Sequence, residues 1–395
     1  MTAAIALSSA SCSRSEAFRS GLEVFLENDL PRLRGTRVAI LTNQTGVLRD
    51  LSGITEVIAA APQIELVAIF GPEHGVHGRA QAGEGVADEV DPLTGVPVYS
   101  LYGAQRRPHA AMLSGLDFVL YDIQDVGVRA YTYLATLEEV LRACAENGVR
   151  LWVLDRPLPS GGATEGPVLE PELESFVGAH TVPLRHGLTP AEYARLLASE
   201  EGLSDALRVS PMRGYRRTFR YEDTGLPWVA PSPNIPTVDA ARIYAGTVLI
   251  EGTNLSEGRG TTRPFHLIGA PWLRERALAA RLNEERLPGC RARPAAFTPT
   301  FSKYRGETCG AVELHITDEA SFRPVAVAVA VLAAARELHP DEFRFDADRF
   351  DRLAGTRRLR EAIERGDPWR GIVASWTADV TTFLERAAPF RLYEP

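Results

Sequence analysis

Between residues 37 and 156 one pattern recurs: RVAILT (37–42), ELVAIF (65–70), DFVLYD (117–122) and RLWVLDR (150–156) are short, β-branched and apolar without interruption. A strand with one face in water alternates apolar and polar residues, whereas a strand covered on both faces does not. Helical stretches at 52–61 and 134–147 separate the runs. Strand, helix, strand in this order predicts an α/β fold, a Rossmann-like, doubly wound parallel sheet. Beyond the turn-rich TGLPWVAPSPNIPT (224–237) the pattern changes. A strand at 311–317 and helices at 324–338, 356–365 and 371–386 predict a smaller α+β domain. A chain of 395 residues, 45% hydrophobic, is long enough for two cores. The expected division is a larger, Rossmann-like domain over 17–225 and a smaller α+β domain over 226–395.

Ligands of open α/β sheets bind outside the carboxyl ends of the strands. Here those ends run into TNQTG (42–46), GPEHG (71–75), IQDVGVRAY (123–131) and DRPLPSGGATEGP (155–167). Each mixes glycine, which lets backbone approach a ligand, with polar side chains. Asn43, Glu73, His74, Asp122, Gln124, Asp125, Arg129 and Tyr131 are therefore candidates to line one shared cleft. The loop EGTNLSEGRGTTRPF (251–265) has the same character and adds Asn254, Glu257, Arg259 and Arg263.

Several function classes lose their support. Neither GxGxxG nor GxxxxGK[ST] is present, which removes the main argument for a dinucleotide or nucleotide. No Gly-x-Ser-x-Gly elbow marks a serine hydrolase. The net charge is −8 and no Lys/Arg block stands out, so nucleic acid is not an expected partner. Four scattered cysteines form no CxxC pair, and no apolar run reaches the ~20 residues of a membrane span.

Glu73 is the strongest chemical candidate. A carboxylate between proline and histidine on a glycine-hinged turn suits a general acid or base; the competing role is capping of a helix N-terminus. Glycoside chemistry asks for a second carboxylate, for which Glu165, Asp122 and Asp125 are available. His74 is either a substrate hydrogen-bond partner or structural, and His77 reads as a solvated turn residue. Tyr131, Tyr133, Trp228 and Tyr304 serve as packing or as sugar-stacking surfaces. Arg259 and Arg263 suit either a carboxylate clamp or ion pairs with Glu251 and Glu257.

The segments GPEHGVHGRAQAGE, TGVPVYSLYG, DIQDVGVRAYTYLATL, LDRPLPSGG, EGPVLEP, SFVGAHTVPLRHGLTPAE, TGLPWVAPSPNIPT, EGTNLSEGRGTTRPF and PTFSKYRGE, in this order, resemble those of the NamZ-type exo-lytic β-N-acetylmuramidases. The resemblance runs from about Gly21 to near the C-terminus. It implies a glycosidase that removes N-acetylmuramic acid from the non-reducing end of peptidoglycan-derived glycans, in a cleft between a Rossmann-like domain and a smaller one. It implies Glu73 as the essential glutamate and Glu165 as the second, with Glu84 in reserve. The lactyl carboxylate of the substrate calls for an arginine fork. Its N-acetyl group calls for amides such as Asn43, Gln124, Asn234 or Asn254. No metal or organic cofactor is required.

Two other readings are kept: a metal-dependent hydrolase using Glu73, His74 and His77, and a muropeptide-binding protein without turnover. The start, MTAAIALSSASC, is apolar but lacks a positive n-region. The expected location is cytoplasmic; the alternative is export, to the periplasm or beyond, with a degenerate lipoprotein signal ending at Cys12.

Overall fold

The computed structural model describes residues 16–394, so the expectation about the segment ending at Cys12 lies outside the described residues. Seven strands form the main sheet: β1 (Thr36–Thr42), β2 (Ile64–Gly71), β3 (Glu89–Val90), β4 (Pro97–Ser100), β5 (Phe118–Asp122), β6 (Arg150–Leu154) and, after the small β7 (Glu165–Val168) and β8 (Pro183–Arg185) pair, β9 (Leu207–Ser210). Their order is β3-β4-β2-β1-β5-β6-β9, and every neighbouring pair is parallel except β3 with β4.

The uninterrupted apolar runs have a direct cause. Val38 and Ile40 of β1 enter a core with Phe25, Ile58 and Trp152 on one face. Ala39 and Leu41 enter the larger core on the other, with Leu137 and Leu141 of the helix Tyr133–Glu146. Each fully buried Val, Leu or Ile side chain contributes ~1.5–3 kcal/mol, so a run buried on both faces tolerates no alternating polar residue. The helix expected at 52–61 is shorter, Ile54–Ala59, and that expected at 371–386 is two helices, Trp369–Ala374 and Thr377–Ala387.

The smaller lobe holds an antiparallel sheet, β10 (Leu267–Ala270), β11 (Cys290–Phe297) and β12 (Cys309–Ile316), in the order β10-β12-β11. The helix Pro324–Leu338 is buried on nearly every side. It crosses the helix Val238–Thr247 so closely that a Cβ on Gly246 would lie 1.9 Å from the Pro324 carbonyl oxygen. The larger core passes without a break from Val140 and Leu184 to Ile243 and Val327, so the two lobes share one apolar interior.

Candidate active site

The turn after β2 is built around left-handed backbone. His74 and Gly75 have φ of 72° and 75°, and the Gly75 N–H closes the turn on the Pro72 carbonyl at 2.9 Å. A histidine in this region is uncommon. Here its ring is held because Nδ1 lies 2.8 Å from the Ala80 carbonyl. A carbonyl only accepts, so Nδ1 carries the hydrogen. Burial pushes the imidazole below its ordinary range, against the opposing pull of Glu73, so the neutral ring presents Nε2 as an acceptor.

The same turn delivers Glu73 to the floor of a cleft of about 660 Å3 between the lobes. Its carboxylate is buried, accepting from the Gly83 N–H at 3.0 Å and from the Thr132 hydroxyl at 2.6 Å. Among the described residues no arginine, lysine or histidine lies within ion-pair distance of it; the other buried glutamates that border the cleft or the loops around it, Glu251, Glu257 and Glu165, all have arginine neighbours. Burial, and after it the neighbouring Glu73, pushes the phenol of Tyr102 up to about 12.

Aromatic and cationic groups surround this floor. Tyr102 and Phe176 pack with ring centres 6.0 Å apart, and the Arg106 guanidinium sits 4.4 Å over Phe176. Tyr131 packs edge-on against Tyr133 and Tyr244. The smaller lobe supplies Glu251, Arg259, Asp346, Asp348, Arg349 and Arg352. Arg259 and Arg349 reach Glu251 at 2.9 and 2.7 Å. Burial opposes charge on Glu251, yet these guanidiniums hold its carboxyl below the usual range. Arg349 and Arg352 are three apart on the helix Ala347–Ala354, the spacing that brings two side chains to one face. Among the described residues Arg106 and Arg352 have no carboxylate partner, and Asp346 and Asp348 have no cationic one; Asp346 caps the helix, accepting from the Arg349 N–H at 3.3 Å.

Of the residues expected from the sequence, Glu73, His74, Tyr131 and Arg259 line this cleft. The others belong to the framework. Glu165 does not reach it: Oε1 accepts from the Ala326 N–H at 2.7 Å, closing the first turn of the helix Pro324–Leu338, and Oε2 faces Arg185 at 3.7 Å. Asp122 is sealed beneath the sheet edge against Arg156 at 2.5 and 2.8 Å. Gln124 donates to the Asp125 and Pro157 carbonyls. Asp125 accepts from the Gly127 N–H at 2.6 Å, and burial pushes its carboxyl up to about 7. Arg129 ties the lobes together by donating to the Pro167, Val182 and Leu353 carbonyls.

Asn43 folds back on Thr45, Asn234 donates to Gln81, and Asn254 bridges the Glu342 carbonyl and the Arg344 N–H. Glu257 pairs with Arg259 and Lys303, and Arg263 with Glu313. Glu84, the reserve, is exposed and closes a local turn on the Gln81 N–H. The loops after β1 and β6 therefore turn away from the cleft, to which those after β2, β4 and β5 contribute. Nor do Glu73, His74 and His77 form a ligand set: among the described residues, the one trio of such groups with donor atoms within 4.8 Å is Glu138, His180 and Glu201. His77 is exposed and lies 4.0 Å from Glu89.

The sequence reading missed Thr132, Tyr102 and Arg106 in the larger lobe, and Asp346, Asp348, Arg349 and Arg352 in the smaller. Thr132 lies within the DIQDVGVRAYTYLATL segment and Tyr102 within TGVPVYSLYG, so the segments were visible and the roles were not.

Residues 38–239 match the family described as exo-β-N-acetylmuramidase NamZ, N-terminal, and residues 242–393 its C-terminal counterpart. The chain belongs to the NamZ exo-β-N-acetylmuramidase family. A curated NamZ relative, the peptidoglycan β-N-acetylmuramidase of Bacillus subtilis (strain 168), is 44% identical over 377 residues, 95% of this chain and 91% of its own. Two DUF1343 family proteins of Bacteroides fragilis NCTC 9343, known from crystal structures, share the fold. One has a TM-score of 0.89 at 35% identity, over 95% of this chain and 99% of its own; the other 0.78 at 29%, over 96% and 99%. As a NamZ family member the chain is a glycoside hydrolase, and no helix among its described residues is long and apolar enough to cross a membrane.

Proposed function

We propose that Glu73 is the proton-transferring residue of this exo-β-N-acetylmuramidase, which hydrolyses the glycosidic bond of non-reducing-terminal N-acetylmuramic acid in peptidoglycan fragments. The observation that carries the assignment is the isolation of Glu73 from cations. A carboxylate held by neutral donors such as a hydroxyl and an amide N–H can pass its proton to the leaving oxygen and take one back from water. One clamped by guanidiniums is locked in the charged form.

The muramic ring lies against Tyr131 and the Tyr102–Phe176 pair, in keeping with the preference of sugar faces for aromatic surfaces. His74 Nε2 accepts from a sugar hydroxyl or the acetamide N–H. The lactyl carboxylate is met by Arg106 or Arg352, whose charges are otherwise uncompensated; Arg259, expected for this task, is already engaged with Glu251 and Glu257. Positive charge developing at the anomeric carbon is met by a second carboxylate or by the substrate's own acetamide. Asp348 borders the cleft and is the carboxylate available for it; Asp346 beside it caps the helix Ala347–Ala354.

The test is release of N-acetylmuramic acid from a chromogenic β-N-acetylmuramide, with Glu73→Gln alongside. Turnover by the wild type and its loss by more than a thousandfold in a folded variant is the expected result. A variant as active as the wild type would remove Glu73 from the mechanism.

A further inference from the structure

The loop after β6 carries LDRPLPSGG (154–162), a segment that the hydrolytic cleft does not use. Its Ser160–Gly162 turn lines a separate cavity of about 500 Å3, which shares no residue with the Glu73 cleft. The turn leaves the carboxyl end of a parallel strand, where α/β sheets bind their ligands. The opposite wall comes from the smaller lobe, through Arg242 and the segment leading into the helix Pro324–Leu338.

The cavity concentrates positive charge in a protein whose net charge is −8. Five arginines, Arg185, Arg217, Arg220, Arg242 and Arg323, line it beside two carboxylates, Asp223 and Glu319. Four of them have carboxylate neighbours: Arg185 has Glu165, Arg217 has Glu192, Arg220 has Asp223, and Arg242 has Glu222, Asp239 and Glu319. Arg323 touches only the Ala320 and Phe322 carbonyls, at 3.2 and 3.0 Å. It has no carboxylate partner among the described residues.

Arg185 is 6% exposed. It donates to the Ser160 carbonyl and lies 3.7 Å from Glu165, beyond hydrogen-bond reach. Among the described residues its Nε has no acceptor, and the buried Ser160 hydroxyl has no partner either. Unpaired buried donors are costly, and native structures seldom keep them without a reason. The turn itself calls for glycine, since Gly161 has a φ of 77° and a Cβ on Gly162 would lie 3.2 Å from Arg217 Cβ. Phe219 and Phe322 add apolar wall on either side.

We propose that this cavity is a second binding site, for a small molecule carrying a phosphate group, with the phosphate held by Arg323 and Arg185 over the Ser160–Gly162 turn. Guanidinium forks match phosphate oxygens in pairs, and the two phenylalanines accommodate the organic body. The site is independent of the hydrolytic assignment, because its readout is binding and not turnover.

The experiment is calorimetric titration of the full chain at low ionic strength with inorganic phosphate, glucose 6-phosphate and glucose. Both phosphates are expected to bind and glucose is not. Arg323→Gln is expected to weaken phosphate binding at least tenfold while leaving the melting temperature and muramide hydrolysis unchanged. Arg185→Gln should weaken it further, if that variant folds. Tighter binding of the ester would mark an organic phosphate as the occupant; tighter binding of inorganic phosphate would overturn that part and leave an anion site. No binding of either phosphate, or an affinity that Arg323→Gln does not move, would overturn the proposal.

Discussion

The Thr132 hydroxyl donates to Glu73 Oε2 over 2.6 Å, joining the turn after β2 to the start of the helix Tyr133–Glu146. Hydrogen bonds to charged groups are worth about 1.5–3 kcal/mol, which corresponds to roughly 10–100-fold in rate. Thr132→Ala is therefore expected to lower kcat/KM on a chromogenic muramide by that factor, and Thr132→Ser to restore most of it. Equal activity in all three proteins would mean that the contact does not orient the carboxylate.

Arg106 and Arg352 are expected to act on substrate affinity. Replacing the one that meets the lactyl carboxylate with Gln should raise KM by about tenfold, the effect of losing one charge-assisted bond, with a smaller change in kcat. The same variant should lose preference for the muramide over the corresponding glucosaminide, which lacks the lactyl group. Steady-state kinetics on both glycosides decides it; an unchanged preference in both variants would place the carboxylate elsewhere.

Glu165→Gln separates framework from chemistry. The carboxylate closes the N-terminus of the helix Pro324–Leu338 and lies beside Arg185. A hydrogen bond to a charged acceptor is worth about 1.5–3 kcal/mol, and the amide weakens the one that caps this helix. The melting temperature is expected to fall by several degrees, while the folded fraction keeps kcat within threefold of wild type. A stable but inactive variant would return Glu165 to the catalytic role suggested by its sequence neighbourhood.

Asp125 links stability to pH. Burial pushes its carboxyl up to about 7, well above the ~4 of an unfolded aspartate. Between these values the folded chain holds a proton that the unfolded chain has released. This contribution is complete below pH 4 and is lost as pH rises towards 7, at about 1.4 kcal/mol per pH unit. Asp155 and Glu138, also raised to about 7 by burial, add slopes of the same sign. Asp125→Asn removes one such slope. The difference in melting temperature between variant and wild type should therefore shift in the variant's favour from pH 5 to pH 7.5. A constant difference would show that Asp125 is ionised in the native protein at both values.

Local chemistry made the sheet readable in advance. Val38, Ala39, Ile40 and Leu41 had to be apolar together because helices cover both faces of β1, and that demand is written into consecutive residues. Glu73 was legible for a related reason: a strand end followed by glycines marks where backbone opens to a ligand. The direction of each loop side chain was not legible. Asp122 ends one buried strand and Glu73 closely follows another, yet Asp122 turns inward to Arg156, which lies 34 residues away.

The sequence by itself determined the layered architecture, the family and the carboxylate that faces the cleft, since each depends on neighbours along the chain. Only the tertiary structure decided which groups stand opposite Glu73. Glu251, Asp346, Asp348 and Arg352 arrive from the other lobe across a shared core, and pairing over such distances is set by packing and charge compensation between lobes, which no spacing within the chain encodes.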